Sequence, residues 1–132
     1  MTSPVKFNVE TIISATPKQI FDAWHSSQGH EAMTGAPAQA SPETGATFSA
    51  WDGYASGVNV QVERPKYFVQ KWRTTQFTSD EPDSLLRVEL HRHEGGTRVV
   101  ITHENLPEHG NQYKQGWEDH YFEPMNAYFS QK

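Results

Sequence analysis

The sequence predicts an α+β domain in which a curved antiparallel β-sheet of about six to seven strands wraps around a long C-terminal helix, with short helices after the first strand. Three observations predict it. First, Tyr113, Trp117, Tyr121, Met125 and Tyr128 recur at steps of four, four, four and three, the repeat of one face of a helix. Second, the chain before this helix alternates apolar and polar residues in a succession of short runs, the period of half-buried strands. Third, a helix face built mostly of large rings needs a wide, concave surface to lie on, and a curved sheet supplies one.

The elements follow in order. Val5, Phe7, Val9, Thr11 and Ile13 alternate with Lys6, Asn8 and Glu10 and form the first strand. Thr16-Pro17-Lys18-Gln19 starts a helix, with Thr16 as N-cap, Pro17 in the first turn and Gln19 closing a capping box. Ile20, Phe21 and Trp24 make its apolar stripe, and Gly29 is expected to end it in a left-handed cap. Residues 30–45 read as a helical turn and a weak strand near 36–40. Residues 47–51 form a strand, Asp52-Gly53 a hairpin turn, and residues 55–63 the next strand, with Val58, Val60 and Val62 on one face. Residues 67–75 follow, with Phe68, Gln70, Trp72 and Thr74 facing one way. After a polar loop at 79–83, Leu86, Val88 and Leu90 mark one strand, and Val99, Ile101 and His103 mark the last. Pro124 is the one local conflict in the final helix, where an interior proline predicts a kink. Residues 1–132 read as a single domain without internal repeats.

Composition narrows the function. Leu, Ile, Val and Phe supply only 24 of 132 residues, so Trp and Tyr must carry much of the apolar burial. An aromatic-rich, aliphatic-poor interior is a plausible lining for an organic ligand; ordinary core packing is the competing reading. The net charge of −5 argues against a nucleic-acid partner, and no apolar run is long enough for a membrane span. The first nine residues lack the basic start and apolar block of a secretory leader. The absence of Cys excludes disulfides, thiolate metal sites and Cys nucleophiles, and fits a cytoplasmic location.

Several motifs carry a resemblance over nearly the whole chain: Met33-Thr34-Gly35, Phe48-Ser49-Ala50-Trp51-Asp52-Gly53-Tyr54 with Ser56-Gly57, Val69-Gln70-Lys71-Trp72-Arg73, Gly96-Thr97-Arg98, and Gln115-Gly116-Trp117 followed by His120-Tyr121-Phe122-Glu123-Pro124. In this order and spacing the chain resembles the proteins similar to the C-terminal domain of the HSP-90 ATPase activator, a branch of the START and birch-pollen-allergen superfamily. The resemblance implies the helix-grip fold and a cavity between sheet and long helix, in a superfamily that binds lipids, hormones or polyketides, or cyclises them. The branch implies a co-chaperone role and brings no shared catalytic motif.

Trp24, Phe48, Trp51, Trp72, Trp117 and Tyr121 are the candidates for the cavity wall. His103, on the inward face of the last strand, and His120, beside Tyr121, are the titratable candidates for the same site, and as a pair they would suit general acid–base chemistry. His91 and His93 share a strand face but sit at an exposed hairpin, and no metal-ligand spacing accompanies them. Gly116 is expected to mark a close approach to a strand or a ligand, and Lys71 and Arg73 a basic outer stripe. The expected partners are a small hydrophobic molecule and, in the alternative, a chaperone. No cofactor and no metal is expected, and the chain is a monomer or a homodimer, with residues 67–75 a candidate pairing edge.

Overall fold

The computed structural model describes residues 5–130, so the reading of residues 1–4 as part of a leaderless start lies outside it. The elements are β1 (Val5–Ile13), α1 (Pro17–Trp24), α2 (Ser27–Thr34), β2 (Thr47–Ala50), β3 (Ala55–Glu63), β4 (Tyr67–Thr74), β5 (Ser84–His93) and β6 (Gly96–Leu106). A 3-10 turn (Glu108–Asn111) then leads into α3 (Gln112–Trp117), a π-helical turn (Glu118–Phe122) and α4 (Glu123–Ser130). The six strands form one antiparallel sheet in the order β1-β6-β5-β4-β3-β2. The two short helices carry the chain from β1 at one edge to β2 at the other, and a meander returns it. The C-terminal helix packs on the face the meander leaves, and α2 rests on α4. This is the α+β helix-grip architecture that the sequence predicts.

Local chemistry explains most element ends. Thr16 Oγ1 accepts from Gln19 N at 3.1 Å, and Gln19 Oε1 accepts from Thr16 N at 2.8 Å, so the capping box is complete. Ile20, Phe21 and Trp24 are buried under it. The inward faces of β4 (Phe68, Gln70, Trp72, Thr74), β5 (Leu86, Val88, Leu90) and β6 (Val99, Ile101, His103) are buried as the alternation predicts.

Five expectations need correction. α1 ends at His25, and Gly29 lies inside a second helix that Ser26 caps. A Cβ on Gly29 would stand 2.7 Å from Ala23 Cα, so this glycine lets α2 pack on α1, while Gly35, at φ 87°, is the left-handed cap. Residues 36–40 make only an isolated bridge, Gln39 to Ser49. In β3 a bulge between Asn59 and Gln61 breaks the alternation: Asn59 is buried and Val60 is 42% exposed. Asn59 instead ties down the preceding loop, donating to the Ser41 and Glu43 carbonyls and accepting from Gln70. β4 lies inside the sheet between β3 and β5, so residues 67–75 are no free edge. Finally, Arg73 is neutralised by Asp83 at 2.8 Å, which leaves Lys71 alone of the expected basic pair without an ion pair among the described residues.

The helix also departs from a plain kink. Each step of four overshoots an α-turn by about 40°, so Trp117, Tyr121, Met125 and Phe129 would drift around a regular helix. The wide π-turn absorbs that drift, and all four side chains are buried while Tyr128 is only partly so. Pro124, which has no N–H to give, follows directly after this turn.

Candidate functional site

A cavity of about 350 Å³ opens between the sheet and the C-terminal helix. The sheet contributes Trp51 and Tyr54 from the β2–β3 turn, Ala55 from β3 and Trp72 from β4. The helix contributes Gln112, Tyr113, Gly116, Trp117, His120 and Tyr121. Trp51 turns the chain in an unusual way: Trp51, Asp52 and Gly53 all have positive φ, at 55°, 56° and 87°. Such backbone costs about 1–3 kcal/mol per non-glycine residue. Here it sets the Trp51 ring edge-on against His120, 5.1 Å between centroids.

The rings of the wall pack on one another and, at Trp24, on a ring behind them. Trp24 stacks on Tyr121, with centroids 5.0 Å apart and planes 25° from parallel, and Trp117 packs 5.7 Å from Trp72. Tyr113 meets Trp72 edge-on at 5.1 Å, and its hydroxyl pairs with Thr74 Oγ1 at 2.7 Å. Burial pushes that phenol up to about 12.

Two buried histidines lock the helix to the rest of the fold. His103 is fully buried. Trp117 Nε1 donates to its Nδ1 at 3.1 Å, so the neutral ring carries its proton on Nε2. Nε2 then donates to Ser84 Oγ at 2.7 Å, and the Ser84 hydroxyl donates to the Trp72 carbonyl at 2.8 Å. Desolvation holds His103 down at about 3. His30 plays the same part from α2: its Nδ1 faces the Trp24 carbonyl at 2.9 Å, and its Nε2 accepts from the Tyr121 hydroxyl at 2.8 Å. Burial depresses His30 and raises Tyr121. A third, His25, donates to the Phe21 carbonyl and is also depressed by burial; its Nε2 has no partner.

The predicted residues therefore divide. Trp51, Trp72, Trp117, His120 and Tyr121 line the cavity, and Trp24, Phe48 and His103 do not. Trp24 and His103 brace the wall from behind, and Phe48 packs against the core from β2. His103 and His120 do not converge, because one is sealed under Trp72 and Trp117 and the other is exposed at the mouth. Tyr54, Ala55, Gln112 and Tyr113 were outside the sequence-derived set of wall residues; Tyr113 had a signal in the periodic helix face, and the others only in position, near Trp51 or one helical turn before Gly116. Gly116 faces open space, its nearest neighbour for a Cβ being His120 Cδ2 at 3.9 Å, so no strand approaches it. The wall contains no Asp, Glu, Lys, Arg, Ser or Thr. Among the described residues no cluster of three metal-ligating side chains occurs, and no helix is long and apolar enough to cross a membrane. The arrangement is chemically suited to holding an apolar, flat molecule.

Known proteins share this arrangement of elements. Human activator of 90 kDa heat shock protein ATPase homolog 1 is 22% identical over 125 residues, covering 94% of this chain, which spans 37% of the human protein. An HSP90 activator from Plasmodium falciparum superposes with a TM-score of 0.82 at 22% identity, covering 92% of this chain and 94% of its own. The Aha1 dimer from Colwellia psychrerythraea superposes with a TM-score of 0.78 at 17% identity, covering 95% and 96%. Residues 14–130 match the family described as Activator of Hsp90 ATPase homolog 1-like protein, and the chain belongs to that family.

Proposed function

We propose that the protein binds a small hydrophobic or amphipathic molecule in the cavity between the sheet and the C-terminal helix. The observation that carries this reading is the cavity itself: about 350 Å³, walled by Trp51, Trp72, Trp117 and Tyr121, in a chain with few aliphatic residues. Voids of this size lined by rings with a few polar groups are the usual form of small-molecule sites. Native mass spectrometry of protein purified from its own host tests the reading. A retained small molecule supports it, and repeated recovery of the bare chain, with no binding of fluorescent apolar probes, overturns it.

A second reading is favoured by the family. Relatives named as HSP90 activators make this chain a candidate for stimulating an HSP90-type ATPase through its surface. Adding the purified protein to an HSP90 ATPase assay tests it, and an unchanged rate removes it. An enzymatic use of the cavity requires at least two converging titratable groups, and of the two candidate histidines only His120 lines the wall.

A further inference from the structure

We infer that the ligand is uncharged and flat, carries a hydrogen-bond acceptor such as a carbonyl oxygen, and places that oxygen on the indole N–H of Trp72. This rests on the ligand-binding reading above and specifies the chemistry of the ligand. The buried polar groups of the wall are almost all committed elsewhere, while Gln112 and His120 are exposed. The Trp117 N–H is given to His103, the Tyr121 hydroxyl to His30 and the Tyr54 hydroxyl to Gln76, and the Tyr113 hydroxyl is paired with Thr74 Oγ1. Trp51 Nε1 has no partner among the described residues, yet it is sealed from solvent. Trp72 differs from all of these. It is only 6% exposed, and it lines the cavity. Its Nε1–H has no hydrogen-bond partner among the described residues and is not among the sealed atoms, and the side chain that carries it lines the cavity. Buried indole N–H groups normally find an acceptor. An oxygen delivered by the ligand would complete this one.

Charge and shape complete the specification. No Lys or Arg lines the cavity and its one histidine, His120, stands exposed at the mouth, so a carboxylate buried against Trp72 would lose its water with no Lys or Arg to replace it. The rings of Trp72, Trp117 and Tyr121 present faces and edges suited to a planar π-system.

Three probes of nearly equal size separate these terms: 2-ethylnaphthalene, 2-acetylnaphthalene and 2-naphthoate, titrated by tryptophan fluorescence against wild-type protein and Trp72→Phe. On wild type the ketone is expected to bind at least as tightly as the hydrocarbon, and the carboxylate at least ten-fold more weakly than the ketone. In Trp72→Phe the ketone is expected to lose about ten-fold relative to the hydrocarbon, the scale of one hydrogen bond. Because Trp72 is also a core residue, a second measurement uses wild type alone: the Trp72 indole ¹⁵N–¹H resonance shifts downfield with the ketone and not with the hydrocarbon. A ketone-to-hydrocarbon ratio unchanged by Trp72→Phe, an unmoved Trp72 resonance, or a carboxylate as tight as the ketone overturns the inference. If neither neutral probe binds, the ligand-binding reading falls and takes this one with it; if both bind and Trp72→Phe leaves their ratio unchanged, this one falls alone.

Discussion

His103 can hold only one tautomer, because the Trp117 N–H occupies Nδ1 and leaves the proton to Nε2. Protonating the ring would set a second N–H against the Trp117 donor, in a site already stripped of water. The folded state therefore keeps His103 neutral down to about pH 3, while the unfolded chain takes up a proton near 6.5. A group whose pKa is depressed on folding contributes stability above the unfolded value, and that contribution is lost as pH falls. The unfolding free energy is thus expected to drop by about 2–3 kcal/mol between pH 6.5 and 4.5 from His103 alone, with His25 and His30 adding in the same direction. Urea titrations at the two pH values read this directly. His103→Gln, which keeps hydrogen-bonding capacity without titrating, should be less stable at pH 7 yet show a flatter pH dependence; an unchanged slope would show that His103 is not the titrating group. None of this was legible beyond the inward direction of His103, since alternation places a side chain on a face but does not say what stands opposite it.

At the scale of elements, two glycines that look alike in sequence have opposite roles. Gly29→Ala would press a methyl into the Ala23 backbone at 2.7 Å, whereas Gly116→Ala puts it into open space. Gly116→Ala is expected to raise stability by about 0.5–1 kcal/mol through helix propensity, and Gly29→Ala to lower it despite the same propensity gain. Thermal melts of the two variants check the pair, and equal shifts of one sign would contradict it. The contrast shows why some of the fold could be read and some could not. The capping box at Thr16 and the alternation in β1, β4, β5 and β6 are local, and the structure follows them. The β3 bulge, the two-helix packing at Gly29 and the π-turn at Glu118–Phe122 answer to partners distant in sequence. Val60 is the clearest case: its β-propensity made it look like core, and one extra residue in the strand turned it to solvent. In the site, large rings on the periodic helix face were visible, while Tyr54 and Gln112 enter the wall only because the turn and helix start are brought together around the void.

For the whole molecule the open question is whether the cavity and the family's chaperone connection are one property or two. Gly116 offers a way to separate them, because it borders the cavity and a Cβ there meets only His120 Cδ2, at 3.9 Å. Gly116→Leu should project into the void while gaining roughly 0.8 kcal/mol of helix propensity, so the fold is expected to hold while the cavity closes. Wild type saturated with a cavity ligand at 100 times its dissociation constant gains about 2.7 kcal/mol, a rise of several degrees in melting temperature. Gly116→Leu is expected to melt at or above the unliganded wild type and to show no rise with the same ligand. Retained ligand stabilisation in this variant would place the binding site elsewhere on the molecule. The same protein, added to an HSP90 ATPase, then separates the two readings. A surface-borne effect survives filling the cavity, since Gly116 changes nothing on the outer face of the sheet; an effect lost along with ligand binding would mean that the aromatic cavity is itself part of what the chaperone senses.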